Sequence, residues 1–144
     1  MGLFSRILGT QPQKKASDDV LLLHSMMLMA CADGVLEGAE AATLEAFINT
    51  LPEFREADFD EQMIQAKKIA AKFKDSKEAV RALTDISSEA VRKKAFILAA
   101  DIALSSGDVD EAEEELLEAM QRVMGIDDNL ANTAISILAL KYAK

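Results

Sequence analysis

Apolar positions in this chain recur every three or four residues, the spacing that lines one face of an α-helix. Val20, Leu23, Met27 and Ala30 predict a helix opened by Ser17 or Asp18 and running to about Ala32. Asp33-Gly34 is expected to end it, because glycine readily takes the left-handed conformation that closes a helix. A second helix is predicted from about Glu37 to Thr50, with Leu44, Phe47, Ile48 and Leu51 inward and Pro52 blocking its extension. Asp58-x-x-Glu61 reads as a capping box for a third, to about Phe73, with Lys67, Lys68, Lys72 and Lys74 near its C-terminal end. Ser76 is expected to cap a short fourth helix through Val80 and Leu83. Ser87 or Ser88 opens a fifth, to about Ser105. Asp110-x-x-Glu113 opens a sixth that Gly125 ends. Asp127 or Asp128 opens a seventh, with Leu130, Ala134, Ile137, Leu138 and Leu140 expected to face in. No segment sustains the two-residue alternation of a strand, so the fold class is all-α: a single bundle of about seven helices.

The domain is expected to span 17–144, preceded over 1–16 by a short helix and a polar linker containing Pro12. Leu3, Phe4, Ile7 and Leu8 share one side of that short helix, which reads as a flap packed on the domain. The apolar part of the opening is too short for a secretory signal, and position 6 lacks the Ser or Thr of a myristoylation site. No stretch approaches the roughly 20 apolar residues of a transmembrane helix, which points to a soluble, cytoplasmic protein.

Composition narrows the partners. Twenty-five acidic against 16 basic residues give a net charge of −9, a field that repels nucleic acid and anionic lipid and favours cations or basic partners. With a single cysteine no intramolecular disulfide is possible, and Cys31, between Ala30 and Ala32, reads as a small core hydrophobe. His24 has no second histidine and no carboxylate one turn away on its own helix, so neither a zinc cluster nor a catalytic triad can be assembled around it. The methionines read as pliable core, and no Gly-rich phosphate loop is present. Asp101 lies inside the apolar run Phe96–Leu104 and needs either a partner from another segment or water.

The most specific feature is a phrase used twice. Ala32-Asp33-Gly34-Val35-Leu36-Glu37-Gly38-Ala39-Glu40 and Ser105-Ser106-Gly107-Asp108-Val109-Asp110-Glu111-Ala112-Glu113 each carry a glycine, an aliphatic two positions on and a glutamate six positions on. Such self-similarity suggests an internal helix–turn–helix repeat. A structural reading explains it through capping: Leu36 and Val109 pin the turn, Asp110 caps the sixth helix, and Glu113 and Glu40 reach back to backbone amides. A chemical reading starts from the second half of a calcium loop, in which glycine allows the sharp turn and a glutamate clamps the ion. Asp33-Gly34-x5-Glu40 and Gly107-x5-Glu113 fit that half, with Asp108 and Asp110 adding oxygens. The leading acid positions are instead Met29 and Cys31, and Ile102 and Leu104, which excludes a complete, tight calcium site. A loose, hydrated divalent-cation site is what the remaining carboxylates suit. The acid-rich stretch from Asp108 to Glu118 reads first as a solvated helix face and second as a dock for a basic partner.

The arrangement Ala30-x-x-Asp33-Gly34-x-Leu36, with Glu40 in the next helix, and its echo Ala103, Gly107, Asp108, Val109, Asp110, Glu113, resembles the TerB family of tellurite-resistance proteins over about residues 17–144. That resemblance implies a bundle of about seven helices, no enzymatic activity and a link to tellurite and stress resistance. It also implies metal ions at the acidic turns and protein partners in membrane-proximal complexes. Carried over position by position, it assigns Asp33, Glu40, Asp108, Asp110 and Glu113 to a divalent cation such as calcium; no other cofactor is implied. Ser106 departs from the pattern, standing where the family usually has aspartate. Two other classes fit the acids: a purely structural interaction adaptor without metal, and a carboxylate-based metal hydrolase, which would need the acids of both turns around one concave pocket.

Overall fold

The computed structural model describes residues 16–32, 38–55, 58–105 and 107–144. Among them are seven α-helices and no strand: α1 (Asp18–Ala30), α2 (Gly38–Ile48), α3 (Phe59–Ala70), α4 (Ser76–Ala79), α5 (Glu89–Ser105), α6 (Glu111–Met124) and α7 (Asp128–Lys141). Short 3-10 segments, Pro52–Phe54 and Val80–Asp85, follow α2 and α4. None of the described helices is long and apolar enough to cross a membrane. Leu3, Phe4, Ile7 and Leu8 of the expected N-terminal flap, Asp33, Gly34 and Leu36 of the expected first turn, and Ser106 lie outside the described residues.

Helix α1 is the centre of the bundle. The expected inward face, Val20, Leu23 and Met27, is buried, but so are Leu21, Leu22, His24, Ser25, Met26, Leu28 and Met29. A helix apolar on every side is stable only when covered on every side. Here α5 and α3 form the main cover, with α2, α6 and the second 3-10 segment closing the rest. Cys31, just past its end, is half-buried against the core, as its apolar setting predicts.

Polar side chains set the ends of the helices. Ser17 Oγ accepts the Val20 N–H at 3.2 Å, so it is the cap of α1. Asp18, next to it, instead reaches the start of α5, accepting the backbone N–H groups of Ser87 and Ser88 at 3.0 and 3.1 Å and the Ser87 hydroxyl. One carboxylate thereby ties the beginnings of two neighbouring helices. Asp58 and Asp127 cap α3 and α7, but only half of the box expected at α3 forms: Asp58 accepts the Glu61 N–H, while the Glu61 carboxylate accepts from Gln65 Nε2. The cap of α4 is Asp75 rather than Ser76: its carboxylate accepts the Glu78 N–H at 2.9 Å. Asp75-x-x-Glu78 is the same aspartate–glutamate pattern found at Asp58 and Asp110, and a carboxylate holds an amide more strongly than a neutral hydroxyl. Across the bundle, Lys94 on α5 grips both oxygens of Glu53 at 2.6 and 2.7 Å.

Helix α7 departs from expectation. It packs chiefly on α5, and its buried positions are Ala131, Ala134 and Leu138, at i, i+3 and i+7. Ile137 and Leu140 do not face in; they are 60% and 77% exposed. At about 100° per residue, Leu140 stands some 200° round the helix from Leu138, so both cannot meet α5.

Candidate functional site

Of the two copies of the phrase, the second lies within the described residues except for Ser106. Gly107 closes α5 at φ +97°, in the region that glycine alone enters readily, and donates its N–H to Leu104 O at 3.1 Å. The chain then passes through Asp108 and Val109 to Asp110, the cap of α6. Asp110 Oδ1 accepts the Glu113 N–H at 2.8 Å, while Glu113 Oε1 accepts the Asp110 N–H at 3.0 Å. This reciprocal capping box satisfies two amides that the helix would otherwise leave open, and the two carboxylates complement the positive end of the helix dipole. Replacing Asp110 by alanine should lower stability by about 1 kcal/mol, measured by urea denaturation.

Three of the five predicted ligands, Asp108, Asp110 and Glu113, are thus on one surface bend. Asp108 and Asp110 are exposed and Glu113 is half-buried. Among the described residues, no group of three or more His, Cys, Asp or Glu side chains is placed to hold a metal ion. Asp33 and the side chain of Glu40 lie outside the described residues. Val109, expected to pin the turn inward, is 39% exposed. The turn is held by Gly107 and the capping box instead, so no apolar anchor is required of it.

Beside this bend lies a cleft of about 460 Å³ whose walls come from distant parts of the chain: Ala32 past α1, Asp75, Ser76 and Lys77 at α4, and Ala112, Glu115 and Leu116 on α6. Lys77 pairs with Glu115 at 3.5 Å, both well exposed. Ala32 opens the first acidic phrase and Ala112 lies within the second, so the start of one and part of the other border the same hollow. Spacing along the chain contains no sign of this meeting.

Two buried polar groups stand apart from the acidic bend. His24, wholly buried on α1, uses Nε2–H to reach Ala79 O at 2.9 Å, tying α1 to the end of α4, and its Nδ1 has no hydrogen-bond partner among the described residues. Burial holds its pKa below the ordinary 6.5, although the carbonyls of Ala79 and Ala66 oppose the shift. Asp101 on α5 finds its partners at the end of α7: Lys141 Nζ donates to its two oxygens at 3.2 and 3.0 Å, and the Tyr142 hydroxyl donates to Oδ1. The Lys141 ammonium also sits 5.6 Å from the Phe47 ring centre and 5.0 Å from that of Tyr142. Of the two alternatives for Asp101, a partner or water, the structure supplies the partner, forty positions along the chain.

A helical bundle around one buried central helix, with no strand among the described residues and a carboxylate-rich surface bend between two of its helices, defines a small all-α module. A family model described as tellurite resistance protein TerB matches residues 16–134, and the chain belongs to that family. No curated protein and no solved structure matches the chain.

Proposed function

We propose that this TerB-family domain is a non-enzymatic binding module that takes a divalent cation at its acidic turns and a protein partner, in the response to tellurite or related stress. The observation that carries the reading is the Gly107–Glu113 bend. Its capping box occupies one oxygen of Asp110, while a carboxylate offers about four lone-pair sites on two oxygens. Oxygen capacity therefore remains on a turn whose backbone is already ordered. Asp108 and Asp110 are exposed, so an ion bound there keeps much of its water and binds loosely. A solvent-facing bend also suits binding more than hydrolysis, which calls for an enclosed pocket with an open ligand position. The stress role rests on family membership alone.

The test is titration of the protein with calcium, magnesium or manganese ions, with amide chemical shifts followed around Gly107 and Gly34. The expected result with a diamagnetic ion is a saturable shift at Gly107, Asp108 and Asp110, lost in a double Asp108→Asn, Asp110→Asn variant. The native protein should also melt at a higher temperature with the ion, since a ligand of the folded state must stabilise it. Flat spectra and an unchanged melt with all three ions overturn the metal reading. The acids are then helix caps, and the structural adaptor, which the satisfied capping box already supports, takes its place.

A further inference from the structure

We propose that the chain's own N-terminal segment, residues 3–8, docks in a trough between the start of α1, the end of α3 and the second 3-10 segment. The trough consists of two hollows. One, of about 890 Å³, has an apolar floor of Leu21, Ile69, Phe73 and Ala82. The other, of about 460 Å³, continues along α3 past Gln65 and Lys68. Ala16, Ile69 and Lys72 border both, which joins them into one surface feature. Leu21 is wholly buried, but Ala16, Ile69, Phe73 and Ala82 are only half-buried: the core covers one side of each and the trough opens on the other. Covering apolar surface of this kind is favourable in proportion to its area.

The path of the chain selects the occupant. Ala16 is the first described residue and borders both hollows, so residues 1–15 are joined to the bundle at the edge of the trough. Within them Leu3, Phe4, Ile7 and Leu8 stand at i, i+1, i+4 and i+5, the spacing of one helix face. Gly9 and Pro12 follow, and they keep a helix over 3–8 from running straight on into α1. The connecting residues 9–15 span at most about 25 Å, and a helix over 3–8 is about 9 Å long, so the floor is within reach. A tether this short holds the segment at an effective concentration on the order of millimolar, enough to seat contacts too weak to retain a separate molecule. Charge agrees. Residues 1–15 carry Arg6, Lys14 and Lys15 and no acid, so the rest of the chain stands at −12. Glu78 and Asp85 on the rim face the incoming Arg6 with opposite charge. The same segment of a second copy would bring the same charges without the tether.

Fluorescence of the full chain tests this, because Phe4→Trp introduces its only tryptophan. The expected result is an emission blue-shifted from that of the same chain in denaturant, and independent of protein concentration. Adding Ile7→Asp should return the emission to the solvent-exposed position. The same substitution in the native background should move the amide resonances of Ile69, Phe73 and Ala82 and leave those of Asp110 and Glu113 in place. Ala82→Glu, on the floor of the trough, should release the tryptophan as Ile7→Asp does; if that variant does not fold, Ile7→Asp, which lies outside the bundle, still decides. A folded Phe4→Trp chain with solvent-exposed emission overturns the proposal. A blue shift that grows with protein concentration assigns the segment to a second copy, and one that appears only with vesicles of anionic phospholipid assigns it to a membrane surface; either overturns intramolecular docking. Amide changes on another face of the bundle overturn the trough as its seat.

Discussion

Asp101→Ala is expected to cost about 3 kcal/mol, seen as a fall of roughly 10 °C in Tm. The carboxylate is 8% exposed in an apolar helix and accepts from both Lys141 and Tyr142. Hydrogen bonds to a charged group contribute more than neutral ones, and here they hold the last turn of α7 to α5. Lys141 is half-exposed and returns to water when its partner is lost, which keeps the cost below that of breaking a fully buried pair. Asp101→Asn should be milder, because one acceptor oxygen remains.

The same cluster predicts an alkaline limb. Hydrogen bonding to Asp101 raises the Lys141 pKa above its ordinary 10.5, and burial followed by Asp101 raises Tyr142 above 10.0. In both cases the folded protein binds its proton more tightly than the unfolded chain. The stabilisation is therefore fully present below about pH 10 and is lost as pH rises through the folded values. Denaturation followed between neutral pH and pH 11.5 should show a decline that Asp101→Ala largely removes; parallel curves for the two proteins would refute the linkage.

His24→Ala is expected to cost about 3 kcal/mol, since it opens a cavity in the central helix and strands the Ala79 carbonyl. Acid should act at the same place with the opposite sign to the lysine case. The folded pKa of His24 lies below 6.5, so between the two values the unfolded chain binds more protons. Stability is complete above 6.5 and falls as pH drops toward the folded value, by up to about 1.4 kcal/mol per unit. His24 is the single histidine, so the span from pH 6.5 to 5.5, above the ordinary carboxylate range, isolates it. His24→Gln keeps an amide donor and removes the titration; a native-like acid slope in that variant would assign the effect elsewhere.

Most helix ends were readable because each depends on neighbours in the chain. Ser17, Asp58, Asp110 and Asp127 cap amides three residues ahead, and Gly125 closes α6 in the left-handed region at φ 67°. The cap of α4 depends on its neighbours too: Asp75 and Ser76 stand side by side, and the carboxylate, the stronger acceptor, takes the Glu78 amide. The capping pair within the candidate site was legible for the same local reason: Asp110 and Glu113 are three residues apart and meet across a single helical turn. The cleft bordered by Ala32 and Ala112 was not, because no periodicity encodes which distant segments a fold brings together.

Hydrophobic spacing, capping residues and breakers are short-range instructions, and they were enough to specify an all-helical fold and the capped bend at Gly107–Glu113. Which face of each helix is covered is a question of neighbours. Val20–Met29 is buried all round because several elements converge on α1, whereas α7, equally free of charge along its middle, packs chiefly on α5 and leaves Ile137 and Leu140 in water. Likewise, a buried carboxylate signals the need for a cation or a donor, but Lys141 and Tyr142 meet Asp101 only once α7 lies against α5. Burial and long-range pairing follow from how the elements stack, and a linear pattern carries that information only where partners are adjacent.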